Sequence, residues 1–267
     1  MNDSIFQIIS NCRICGKDKL NNILDLGEQP PANSLRDNPE ESLPSIPLSI
    51  VHCDQCKTVQ LKETVKPEYL FSKYVWVTGT SSTAQTYSSF FCDEALKRLP
   101  SRELFITEVA SNDGTFLQRF KKRGHKVLGI DPAKNIAQIA LDKGIPTKVE
   151  FFDKKVAESI VSEYGKADCI FARNVIPHVD NIHGVISGMA HCIKDEGIAI
   201  VEFHYGENIM SELQYDSIYH EHLFYYTLTT IESLLKRHRL YIFDVSISPI
   251  SGGSWVVYFS KKIREKT

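Results

Sequence analysis

Four of the seven cysteines stand as two matched pairs, Cys12-x2-Cys15 and Cys53-x2-Cys56. Each pair can turn two thiolates toward one ion, and four thiolates satisfy a tetrahedral zinc. A closed four-sulfur set keeps no open coordination position, so the chemistry it offers is structural, not catalytic. Four free thiols in a reducing compartment are the plainer alternative, and they leave the folding of a core-poor segment unexplained. The 37 residues between the pairs exceed the about 15–20 of a compact zinc ribbon, so that loop must carry structure of its own. Gly16 follows the first pair, where a tight turn is needed. Cys92, Cys169 and Cys192 stand alone and read as buried thiols of a cytoplasmic protein, not as a disulfide framework.

A second constellation is Glu108-Val109-Ala110-Ser111-Asn112-Asp113-Gly114, which ends an apolar run and opens a helical pattern. Another acid, Asp131, ends the next apolar run 23 residues on and is followed by Pro132. That distance matches one loop-helix-loop crossover, and a carboxylate there can take both hydroxyls of an adenosine ribose. The turn is not a dinucleotide fingerprint, because only Gly114 is glycine. Glu108 and Asp113 would repel a diphosphate, which prefers a naked helix start. A cationic ligand with an amino-acid tail and a ribose suits the turn, and S-adenosylmethionine fits that description. The bland alternative is a plain strand-turn-helix with a surface acid at each strand end.

Further candidates follow the next two expected strands. Phe152, in Glu150-Phe151-Phe152-Asp153, can stack on adenine, although an aromatic there is more often core. Asn174 and His178 lie in Arg173-Asn174-Val175-Ile176-Pro177-His178, at a carboxyl edge where ligands sit in such sheets. Beyond the fifth strand come His204 and then a run from Gln214 to Tyr226 dense in tyrosine, histidine and carboxylate. On a helix Tyr215, Tyr219 and His222 would share one face and offer a base and two hydroxyls to a polar substrate. His220-Glu221-His222 lacks the four-residue histidine spacing of a helical zinc site. His222 is the first candidate for general base, since neutral imidazole accepts a proton near neutral pH.

Elements of defined kind must position these groups. Leu104–Val109, Lys126–Ile130, Cys169–Ala172 and Ile198–Phe203 are short apolar runs. Phe116–Arg123, Asn135–Lys143, Lys155–Tyr164 and His183–Ile193, between them, have helical spacing. That alternation predicts an α/β, doubly wound, mainly parallel sheet with helices on both faces. Leu240–Ser246 and Ser254–Ser260, joined through Pro249, Gly252 and Gly253, predict a closing antiparallel hairpin. Ahead of the sheet, residues 1–70 are broken by Pro30, Pro31, Pro39, Pro44 and Pro47 and admit no helix of normal length. They read as a zinc-binding domain. Residues 71–103 read as a connector with a helix from Thr83 to Leu99 over the site, and residues 104–267 as the catalytic domain.

Composition narrows the class of partner. The 267 residues are 42% hydrophobic and 24% charged, too apolar for disorder, and the net charge is -2. A near-neutral chain without a basic stripe has no pull toward nucleic acid or an anionic membrane. No apolar window approaches the length of a membrane span, and Met1-Asn2-Asp3-Ser4 does not open a secretory signal.

Taken together, these segments resemble the sugar C-methyltransferase family, whose members act on nucleotide-linked deoxysugars. The resemblance runs through Cys12-Arg13-Ile14-Cys15-Gly16, Leu24-Asp25-Leu26-Gly27-Glu28-Gln29-Pro30-Pro31-Ala32-Asn33-Ser34-Leu35, Thr78-Gly79-Thr80-Ser81 and Glu108 to Gly114. It continues through Asn174 to His178, Tyr219-His220-Glu221-His222 and Gly252-Gly253-Ser254. It implies a seven-stranded class I methyltransferase sheet, structural zinc on the four cysteines, and S-adenosylmethionine bound by Thr78, Glu108, Ala110, Ser111, Asn112, Gly114, Asp131, Pro132, Phe152, Asn174 and His178. It implies that His222 removes a proton from the sugar while Glu221 or Tyr219 orients the ring. Tyr74, Trp76, His204 and Tyr215 would line the rest of the sugar pocket. Family members usually continue past the Gly-Gly-Ser strand into a second α/β lobe, and the sequence ends at Thr267 before it. The methyl acceptor is then a carbon beside a ketone or a hydroxyl oxygen. Two rival readings are a macromolecule methyltransferase and a catalytically idle scaffold that binds zinc and cofactor.

Replacing Cys53 with Ser is expected to lower zinc content, measured by atomic emission, together with the melting temperature. Wild-type protein of normal stability without metal would refute the staple.

Overall fold

The computed structural model describes residues 5–36, 38–71 and 74–265. The four N-terminal residues read above for a leader, residues 72 and 73 of the expected connector, and the last two residues lie outside the described residues. The N-terminal unit comprises β1 (Phe6–Ile8), β2 (Leu20–Gln29), β3 (Ile46–Cys53), β4 (Val59–Leu61), β5 (Glu63–Val65) and a short helix α1 (Pro67–Phe71). β1 pairs with β5, and β2, β3 and β4 form an antiparallel meander. The prolines have the expected effect: α1, only five residues long, is the one helix described before Thr78.

A 3-10 turn at Thr78–Thr80 leads into α2 (Ser82–Lys97), whose cap Ser81 accepts from the Ala84 N–H at 3.2 Å. The chain then alternates through β6 (Phe105–Val109), α3 (Thr115–Lys122), β7 (Lys126–Ile130), α4 (Lys134–Asp142), β8 (Thr147–Lys148), α5 (Lys154–Tyr164), β9 (Ala167–Arg173), α6 (Ile182–Cys192) and β10 (Ile193–His204). The side chains of Asp153 and Asn181 cap α5 and α6. After α7 (Gly206–Ser211) and β11 (Phe224–Tyr225) come α8 (Leu228–Arg237), β12 (Tyr241–Ser248) and β13 (Ser254–Ser260).

Seven strands form one sheet in the order β12-β13-β10-β9-β6-β7-β8. β8, β7, β6, β9 and β10 are parallel, and the closing β12–β13 hairpin is antiparallel, as the sequence predicts. Successive residues of the central strands feed opposite faces. In β9, Cys169 and Phe171 join the core under α2 and α3, whereas Ile170 and Ala172 join the core under α5, α6 and α8. Strand order reverses between β6 and β9, which leaves a crevice at their carboxyl ends.

The N-terminal unit packs on the second of these faces. Cys12, Ile14, Leu48, Ile50, Cys53 and Leu61 belong to the same core as Ile176, Leu223 and Tyr226. β11 pairs with β4, so the N-terminal sheet runs β11-β4-β3-β2 and takes one strand from residues 224–225. Arg13, between the first two cysteines, is buried and fully used. It donates to Asp180 Oδ1 at 2.9 Å, Gln60 Oε1 at 3.2 Å, Leu61 O at 2.5 Å, Glu63 O at 3.1 Å and Thr64 Oγ1 at 2.5 Å. No lysine can serve such a fork. Arg13→Ala is expected to destabilise the protein in urea denaturation by about 1–3 kcal/mol for each buried acceptor it leaves unpaired, above all the carbonyls of Leu61 and Glu63.

Candidate active site

The turn after β6 is strained and pinned. Ala110 and Asn112 are left-handed at φ 50°, and Gly114 at φ 74° starts α3. Asn112 holds three strands of chain together. Its N–H donates to Asp131 Oδ2 at 2.8 Å, its Oδ1 accepts from Thr78 N at 2.8 Å, and its Nδ2 donates to Trp76 O at 3.0 Å. The Thr78–Thr80 turn is thereby clamped over the crevice. Below it, a Cβ on Gly129 would come within 2.3 Å of Ser111 Oγ, so only glycine lets β7 pass beneath the turn.

Asp113 does not face a ligand as its sequence position suggests. Its carboxylate accepts from Thr115 Oγ1 at 2.7 Å and Gly79 N at 3.2 Å and pairs with Lys143 at 2.6 Å, so it is neutralised in place. The acid left in the crevice is Glu108, 3% exposed, whose Oε2 has no partner. Burial holds its carboxyl well above the usual carboxylate range; Arg173 opposes that shift, and Asp113, Asp131 and Glu202 reinforce it. A ligand cation would relieve this cost. Asp131 accepts from the Asn112 and Ala133 N–H groups, and burial raises its pKa. Pro132 follows it, half-buried. Asn174, at the end of β9, is also left-handed, and its buried Oδ1 lacks a partner. Arg173 lies 3.3 Å over the Phe116 ring and donates to Glu202 at 2.6 Å.

Across from the crevice three imidazoles meet. The His222 ring lies 4.8 Å from His178 and 5.1 Å from His204, centre to centre. His222 Nδ1 sits 2.8 Å from Ser217 O, which makes it the protonated nitrogen, so Nε2 carries the lone pair that accepts from Tyr219 OH at 3.0 Å. Burial, then His178 and His204, hold His222 well below the ordinary histidine value. Glu221 Oε1 accepts from Asn33 Nδ2 at 2.6 Å, and its buried Oε2 lies 4.0 Å from His178 Nδ1 without a hydrogen bond. Tyr74 stands between the two halves: burial, then Glu221 and Asp131, push its phenol up to about 12.

The structure corrects the expectations for Tyr215 and Phe152. Tyr215 does not share a helical face with Tyr219 and His222. Residues 215–217 make a single 3-10 turn, and Tyr215 is 81% exposed. The helix cannot form because His220 is drawn to the carbonyls of Ile46 and Pro47 and β11 starts at Phe224. His178, expected at the cofactor, lies with the histidines and against Phe71. Phe152 is core, packed against Gly188 of α6. Trp76 is 55% exposed, and its carbonyl accepts from Asn112. Asn33, Lys143 and Arg173 were not picked out as site residues from the sequence. Asn33 meets its partner 188 residues away, and no local spacing encodes that contact.

The four cysteines also converge. Their sulfurs lie within 4.8 Å of one another, with Cys12–Cys56 and Cys15–Cys53 at 3.5 Å. Zinc–sulfur bonds of about 2.3 Å place tetrahedral sulfurs about 3.8 Å apart, so the cage fits zinc after a small relaxation. Gln60 Nε2 donates to Cys12 Sγ at 3.1 Å, and Thr58 Oγ1 lies 3.2 Å from Cys56 Sγ, as outer partners of a thiolate cage should. Cys92, Cys169 and Cys192 are free and buried.

A doubly wound sheet with an acidic crevice at its reversal point is the fold of the class I methyltransferases, whose cofactor is S-adenosylmethionine, and the cysteine cage beside it fits zinc. Residues 12–71 match a family of zinc binding domains, and residues 88–243 match a family of methyltransferase domains. The second match spans more than half of the chain, which therefore belongs to the methyltransferase domain family. C-methyltransferase NovU of Streptomyces niveus is 30% identical over 257 residues, 95% of this chain and 61% of that protein, so the chain spans about three-fifths of that relative's length. Two solved structures share the fold. One is an S-adenosylmethionine-dependent methyltransferase from Archaeoglobus fulgidus, with TM-score 0.53, 11% identity and 66% of this chain on 93% of that one. The other is magnesium protoporphyrin IX methyltransferase from Synechocystis with bound S-adenosylhomocysteine, with TM-score 0.52, 14% identity and 67% on 83%. No described helix is long and apolar enough to cross a membrane.

The buried imidazoles give a pH signature. Burial, then His204, lower His178 from 6.5 to about 4. The unfolded chain therefore binds this proton at higher pH than the folded one, so stability falls as pH drops from about 6.5 to about 4. Denaturation midpoints taken through that window should decline, and His178→Gln should flatten the slope. An equal slope in the variant would contradict the assignment.

Proposed function

We infer that this chain transfers a methyl group from S-adenosylmethionine to a carbon or hydroxyl oxygen of a nucleotide-activated sugar, with His222 as general base. One observation carries the reading. His178 Nδ1, His204 Nδ1, Glu221 Oε2 and Tyr225 OH are all buried, lack hydrogen-bond partners among the described residues, and belong to one cluster with Tyr219 and His222. Buried polar atoms are normally paired, so such a cluster calls for a ligand with several hydroxyls. A neutral polyol suits neutral imidazoles. The name of the Streptomyces niveus relative, a C-methyltransferase, agrees with this class of reaction.

When bound, S-adenosylmethionine supplies an electrophilic methyl on a sulfonium. The crevice residues Glu108, Ala110, Ser111, Asn112, Gly114, Asp131, Pro132 and Asn174, with the Thr78 turn above them, are the set proposed to hold it. The unpaired carboxyl of Glu108 favours a cationic partner, and the two backbone bonds to Asp131 orient its carboxylate. Tyr74 closes the space between cofactor and acceptor. The acceptor proton reaches His222 Nε2 by replacing the Tyr219 hydroxyl there or by passing through it, and Ser217 O supports the resulting imidazolium. Holding the acceptor against the methyl carbon supplies most of the rate, and the base removes one proton.

Incubation with cofactor and a panel of nucleotide-linked keto sugars, followed by mass spectrometry and NMR, should yield a product heavier by one methyl and show whether carbon or oxygen received it. His222→Ala should cut kcat by about 10²–10⁴-fold and leave cofactor affinity by calorimetry nearly unchanged. Full activity in that variant would remove His222 from the mechanism.

A further inference from the structure

We propose that Asn33, delivered by the N-terminal unit, is a positioning residue for Glu221 and thereby for the acceptor pocket. The proposal rests on the reading of that pocket given above. Asn33 lies in a tight turn in which Ser34 N donates to Pro31 O and Leu35 N to Asn33 O, both at 3.1 Å. Ser34 Oγ lies 3.1 Å from Tyr69 OH in α1, which moors the turn. From there Asn33 Nδ2 donates to Glu221 Oε1 at 2.6 Å. Among the described residues this is the only hydrogen bond to that carboxylate.

The contact does two things. It fixes which oxygen remains for a ligand: Oε1 is taken, and Oε2 is turned toward His178 with nothing bound to it. It also favours the ionised form of a group that burial pushes toward the neutral one. The other titratable groups facing Glu221 are His178 from the 176–178 turn, Tyr74 ahead of the Thr78 turn, and Tyr219, His220 and His222 from its own segment. None is a fixed cation, so no ion pair replaces the amide.

The segment does not need Asn33 in order to fold. His220 Nε2 lies 3.2 Å from both Ile46 O and Pro47 O, Leu61 N donates to Leu223 O at 2.9 Å, and β11 pairs with β4. Asn33 is itself exposed and would be satisfied by water. The dependence therefore runs one way, from the buried carboxylate to the amide.

The test is a carbon-13 titration of the full chain labelled at glutamate side-chain carboxyls, with the Glu221 resonance identified by its loss in Glu221→Gln. In Asn33→Ala the Glu221 midpoint should rise by about one pH unit, a tenfold change in proton affinity. In Asn33→Asp, where a like charge replaces the donor, it should rise further. S-adenosylmethionine affinity should match wild type in both variants, and at neutral pH stability should fall by no more than the midpoint shift itself costs, about 1.4 kcal/mol per pH unit. An unmoved midpoint in both, or a lowered melting temperature without a shift, overturns the proposal. With whichever nucleotide sugar the wild type methylates, the acid limb of kcat/KM should move upward with the titration. A shifted midpoint in a protein that turns over no such sugar would sink the sugar reading and leave the Asn33–Glu221 contact standing.

Discussion

The molecule depends on a single buried guanidinium. Arg13 sits between two metal-ligating cysteines, yet all of its donors are spent on other parts of the chain: the Gln60 side chain, the β4–β5 backbone, Thr64 and Asp180 ahead of α6. Beneath it β4 pairs with β11, and the residues just before β11 are the ones that crowd the acceptor pocket. A small metal-stapled unit with little core of its own thus becomes the wall against which Tyr219, Glu221 and His222 are set. A buried charge of this kind is costly unless every donor is matched, so the contact also specifies one docking geometry and penalises others.

The two halves of the site obey opposite electrostatic logics. The crevice gathers Glu108, Asp131 and Glu202 around one arginine, an arrangement that costs free energy until a cation arrives. The pocket opposite gathers imidazoles that burial keeps neutral, with one carboxylate steadied by an amide. Methyl transfer from a sulfonium consumes a positive charge on the first side and releases a proton on the second. The division of charge matches that flow.

Much of the fold was legible because both periodicities were strong. Lys126–Ile130 and Ser254–Ser260 read as strands to the residue, since apolar runs buried on both faces stop abruptly at polar ones. The cysteine cage was legible from spacing alone. The 214–223 segment was misread as a helix because its aromatic spacing mimics one. Tertiary contacts decided otherwise, since His220 is bound by β3 carbonyls more than a hundred residues upstream. Strand-end position places Phe152 on the rim but does not say which side of it the ring turns to, and the ring joins the core. Asn33 lay within a segment whose resemblance was noted, yet its role needed the three-dimensional meeting with Glu221.

The unpartnered nitrogens of His178 and His204 have a further consequence. A neutral imidazole can present either a donor or an acceptor at the same atom by exchanging tautomers, with no change of volume. His222 is denied that freedom by the Ser217 carbonyl and His178 is biased by the backbone of Glu221, whereas His204 keeps it. A cavity lined this way fixes where the polar atoms of a guest must sit and leaves open whether each of them donates or accepts.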